Sequence, residues 1–67
     1  MRELFIGMSN SRHHSGSVSK AIRAAFSDAD AQLASHGLVY LDHSVTVMSF
    51  PDGDDIFVTI VGEHNAT

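Results

Sequence analysis

The chain of 67 residues has no cysteine, no tryptophan, a single proline, a single tyrosine, and only four cationic side chains against eight carboxylates. Without cysteine no disulfide can staple a small fold, and no thiolate can bind zinc or act as a nucleophile. The formal net charge of −4 leaves no basic stripe of the kind that phosphate-backbone binding requires, which argues against direct contact with nucleic acid. Long apolar runs are missing too. The run before Gly7, Leu4-Phe5-Ile6, is too short for a signal-peptide core and far too short for a membrane span, so a soluble, cytoplasmic protein with no membrane partner is expected. A chain of this size buries only about 60% of the surface its unfolded form exposes. The core is therefore marginal, and oligomerisation is the expected source of additional stability.

What is present is organised around one amphipathic helix, from Ser17 to Gly37. Val18, Ala21, Ile22, Ala25, Phe26, Ala29 and Leu33 follow the i, i+3, i+4, i+7 pattern of a single helical face. Ser17 or Ser15 can cap its free N–H groups. His36 and Gly37 form its stop, with Leu38 able to pack back onto Leu33 in a Schellman motif. Glu3–Met8 reads as a strand, Leu38–Phe50 as one long strand bent or bulged near Asp42-His43-Ser44, with a turn at those three residues as the alternative, and Ile56–Gly62 as the last strand. Residues 9–17 form a flexible polar loop, Pro51-Asp52-Gly53-Asp54 is a turn, and residues 63–67 are a tail. The predicted fold is α+β, a single domain over residues 1–67 with the order β-α-β-β. One helix covers a three-stranded mixed sheet in which the most apolar strand, the last, lies in the middle, giving the order 2-3-1 of a split βαβ unit.

Period-two alternation assigns the faces. Leu4, Ile6, Val39, Leu41, Val45, Val47, Ile56, Val58 and Ile60 are expected under the helix, and Phe5, Met48, Phe57, Val61 and Tyr40 on the opposite side. So large an apolar surface predicts association, with itself as a homo-oligomer or with a larger protein, and makes Phe5, Met48, Phe57 and Val61 the expected anchors.

Chemistry-bearing motifs are sparse. The loop after the first strand lies at a helix start, where Ser9, Arg12, His13, Ser15, Gly16 and Ser17 can cradle a phosphate, although the Gly-Lys-Ser/Thr ending of a P-loop is missing. His13 and His14 are adjacent and point apart in extended backbone, no His-x-x-x-His pair exists, and no metal site is expected. Asp52, Asp54 and Asp55 resemble the start of a calcium loop but lack its twelve-residue span and closing glutamate. There is no Gly-x-Ser-x-Gly elbow, and catalysis is not expected.

Gly7-Met8-Ser9 followed by Ala21-Ile22-Arg23-Ala24-Ala25-Phe26-Ser27-Asp28-Ala29 resembles the opening of dodecins, small β-α-β-β proteins in which Gly-x-Ser ends the first strand. The resemblance covers at most the first thirty residues. It implies a hollow dodecameric shell that binds flavin or a related ligand. The tryptophan that stacks on flavin in that family is absent here, and Val39-Tyr40 occupies its region, with Tyr40 able to stack on a ring. The residues themselves point first to a small, acidic, non-catalytic binding module working through protein–protein association. One version is an inhibitor of the kind phages and mobile elements encode, with Asp42, Asp52, Asp54 and Asp55 meeting a basic surface on a larger target. Dodecin-like flavin binding and phosphate binding at the loop are the alternatives.

Overall fold

The computed structural model describes residues 2–64. In chain order they form β1 (Arg2–Asn10), a 3-10 turn (Ser11–His14), α1 (Val18–Ser35), β2 (Val39–Phe50) and β3 (Gly53–Glu63). Glu63, expected in the tail, is the last residue of β3, and residues 65–67 of that expected tail lie outside the described residues.

Both ends of α1 follow from local chemistry. The Ser17 side chain accepts from the Lys20 amide at 3.3 Å, and the Gly37 and Leu38 amides donate to Ala34 O and Leu33 O at 3.0 and 3.4 Å. With Gly37 at φ 67°, this is the Schellman arrangement, and it seats Leu38 in the core beside Leu33. The proline of the tight turn sits beside Asp52, and those two residues alone join β2 to β3.

The sheet order is β1-β3-β2, which is 2-3-1 counted from the other edge. The sheet is antiparallel throughout rather than mixed. β3 runs against both neighbours, so β1 and β2 share a direction, as in a split βαβ unit, but never pair.

The faces of β1 are the reverse of expectation. Phe5 is buried under the helix, whereas Leu4, Ile6 and Met8 are 67%, 54% and 63% exposed on the opposite side. The cause is the close approach of α1, which presents Ala21, Ala25 and Ala29 to the sheet with no exposure at all. Only a face carrying Gly7 can meet so flat a stripe, because a Cβ there would overlap the Ala25 carbonyl. A single-residue change of parity moves every side chain to the other face, so Gly7 fixes the whole strand. Ile56, Val58 and Ile60 of β3 complete the core as expected.

β2 departs in another way. Its strand is single and long, and the expected irregularity falls between Tyr40 and Asp42, where Leu41 is the extra residue. The bulge puts Val39 on the far face and Tyr40 on the helix side. Val45 and Val47 do lie on the helix side, opposite Val58 and Ile56, yet they are 40% and 45% exposed. Helix α1 sits over β1 and β3 and barely touches β2. All twelve residues of β2 are exposed, and the molecule is elongated, 47 × 16 × 13 Å.

Candidate interaction surface

The face away from α1 is built by register. Leu4 stands opposite Val61, Ile6 opposite Thr59 and Met8 opposite Phe57. On the other flank of β3, Asp42, Ser44 and Thr46 oppose Val61, Thr59 and Phe57, while Met48 opposes Asp55. The apolar strip thus runs along β1 and β3, gives way to Asp42, Ser44 and Thr46 on the neighbouring stretch of β2, and resumes there at Met48. Of the expected anchors, Met48, Phe57 and Val61 are on this face, and Phe5 is not. Leu4, Ile6 and Met8, which alternation assigned to the core, take its place. At one end Met8, Ser9, Asn10, His13, Asp55 and Phe57 line an open depression of about 340 Å³.

The expected ligand loop and the expected acidic tip come together. Arg12 pairs with Asp52 at 3.1 Å, and both side chains are largely exposed. Asn10 donates to Asp55 at 2.7 Å. Ser11, buried in the structure, accepts from the Asp54 amide at 2.9 Å and lies 3.3 Å from its carboxylate. The hydroxyl thereby ties the turn after β1 to the β2–β3 hairpin. Ser11 has no sequence signal, since its partner stands 43 residues away. A phosphate at Ser9, Arg12, His13, Ser15, Gly16 and Ser17 would meet Asp52, Asp54 and Asp55 beside it, with Arg12 already engaged. Those three carboxylates are likewise turned toward the loop, and Asp42 accepts from the His43 amide at 2.7 Å. His14 Nε2 lies 3.1 Å from Ser9 Oγ.

On the helix side, Tyr40 hydrogen-bonds His43 Nδ1, and both rings pack against Phe26, His43 edge-on at 5.3 Å and Tyr40 at 6.4 Å between centroids. This aromatic cluster bridges the gap between α1 and the start of β2.

Among the described residues no three His, Asp or Glu side chains gather in a metal-holding group, and no helix is long and apolar enough to cross a membrane. Compared with known proteins, the chain matches no family model, no curated protein and no solved structure.

Proposed function

We propose that the protein is a small, non-catalytic binding module that works through association of its sheet, first with copies of itself. The observation that carries this reading is the exposure of Leu4, Ile6 and Met8, 54–67% each, beside Phe57 and Val61 on the face that α1 leaves bare. Large apolar residues contiguous across two paired strands mark an interaction surface, whereas single exposed hydrophobes do not. The acidic residues support it less directly, because Asp52, Asp54 and Asp55 have partners within the fold. Sedimentation velocity across a wide range of concentration tests the reading. The expected outcome is a mass above the 7.2 kDa of one chain that rises with concentration. A single species of one-chain mass throughout would refute self-association.

A second reading rests on the aromatic cluster. Tyr40, 44% exposed beside Phe26 and His43, offers a surface on which a flat ring such as flavin can stack. Quenching of flavin fluorescence on titration, lost in Tyr40→Ala, is the expected result.

A further inference from the structure

The two edges of the sheet are not alike. At the β1 edge, helix side chains reach over the strand. Asp28 Oδ2 accepts from the Met8 amide at 3.3 Å, and Gln32 Nε2 donates to the Ile6 carbonyl at 2.9 Å. These two contacts occupy backbone groups that would otherwise be free to bind another strand. The β2 edge has no such cover. Among the described residues the one side-chain bond to its backbone is that of Asp42 to the adjacent His43 amide, beside the bulge.

Which groups of β2 point outward follows from the ladder. In an antiparallel pair each residue turns both backbone groups to one side, and the side alternates along the strand. Ile6 and Met8 turn theirs to the helix, so Ile6/Thr59 and Met8/Phe57 are non-hydrogen-bonded pairs. Thr59 and Phe57 therefore bond to Ser44 and Thr46 on their other side. It follows that Val45 and Val47 direct their N–H and C=O groups away from the sheet.

The geometry points to a second copy of this chain as the occupant of that edge, paired β2 to β2 in antiparallel fashion about a two-fold axis at Thr46. This inference rests on the self-association proposed above and adds a contact at the β2 edge, distinct from the Leu4, Ile6 and Met8 face, which the pairing leaves open. The register comes from the strand itself. The segment free of the bulge, Asp42–Phe50, has Thr46 at its centre, so this axis alone brings its full length into overlap. It sets Val45 opposite Val47 of the second copy as a hydrogen-bonded pair, using the outward groups just derived. Asp42, the one charged residue of β2, falls opposite Phe50 of the second copy, which keeps the two carboxylates at opposite ends. The strand carries no lysine and no proline, the usual guards of an exposed edge. Within the paired segment Val45, Val47, Met48 and Phe50 are 40–48% exposed, so the pairing sets apolar side chains of the two copies beside one another across the new ladder. The result is a six-stranded antiparallel sheet with both helices on one side.

Because the chain has no cysteine, single cysteines report the register directly. Thr46 would face its own counterpart as a non-hydrogen-bonded pair with Cα atoms about 4.5 Å apart, within the range a disulfide spans. Ser44 would stand opposite Met48 of the second copy and about 14 Å from the other Ser44. In a glutathione redox buffer, Thr46→Cys is expected to become mainly a disulfide-linked dimer. Ser44→Cys and Met48→Cys alone are expected to stay mainly unlinked, and their mixture to give the crossed dimer. Equal linkage of all three would mean random collision and would overturn the pairing. Sedimentation that shows association while Thr46→Cys stays unlinked would overturn the edge and leave the binding-module reading standing. A one-chain mass at every concentration would remove both.

Discussion

A Cβ built on Gly7 would overlap the carbonyl oxygen of Ala25 and stand 2.7 Å from the amide nitrogen of Ala29, so the obstacle is helix backbone that has nowhere to go. Gly62 differs in kind. Its added Cβ meets the Leu33 side-chain tip, which can rotate, and the Leu38 side chain at 3.2 Å. Overpacking costs typically 1–3 kcal/mol, and these two sites should divide that range. Gly7→Ala is expected to lose about 3 kcal/mol, and Gly62→Ala about 1 kcal/mol, in urea unfolding midpoints. Equal losses would mean that α1 does not rest on Gly7. The same glycine explains why alternation alone misassigned β1. Leu4, Ile6 and Met8 make the more apolar row, but a helix that offers alanine at every fourth position needs a flat partner rather than a bulky one. The complement between Gly7 and the Ala21, Ala25 and Ala29 stripe is present in the sequence, although period-two counting does not weigh it.

At the scale of elements, what is local was legible and what is paired across the chain was not. Ser17 and Gly37 bound the helix through contacts three to five residues away, and both caps were readable for that reason. Ser17→Ala should cost about 1 kcal/mol of stability, measured by thermal unfolding. The 3-10 turn at Ser11–His14, by contrast, is held through Ser11 to Asp54 and Asn10 to Asp55, and no local pattern announces such partners. The bulge at Tyr40 to Asp42 is equally a property of pairing with β3. The interaction surface was legible only in part. Met48, Phe57 and Val61 were placed correctly because β3 alternates cleanly, whereas Leu4, Ile6 and Met8 depended on the strand parity that Gly7 sets. Asp28 and Gln32 look like ordinary polar positions of a solvated helix face, yet they guard the β1 edge. Replacing both with alanine should uncover that edge while β2 stays open. Each copy would then have two free edges, and assembly is expected to run past the dimer into species of rising mass, visible by light scattering. An unchanged mass distribution would show that the guards are dispensable.

At the scale of the whole molecule, the balance is set by a core that among the described residues comprises nine buried apolar side chains, three of them alanine, beside a hairpin whose outer strand is about half exposed along its length. So small a core leaves little margin for a chain without disulfides. Pairing through β2 would cover the edge of that strand, and mass action makes this measurable. For a dimer that unfolds to two free chains, each tenfold rise in protein concentration adds about 1.4 kcal/mol per dimer, or ~0.7 kcal/mol per chain. In a domain of this size 1 kcal/mol moves the unfolding midpoint by roughly 4–8 °C, so the wild-type midpoint should climb by roughly 3–6 °C per decade of concentration. Oxidised Thr46→Cys, in which the two chains are already joined, should unfold at a higher midpoint that no longer responds to dilution, and reduction should restore the slope. If the wild-type midpoint is instead flat across the same range, association adds nothing to folding, and the nine-residue core alone must carry the exposed hairpin.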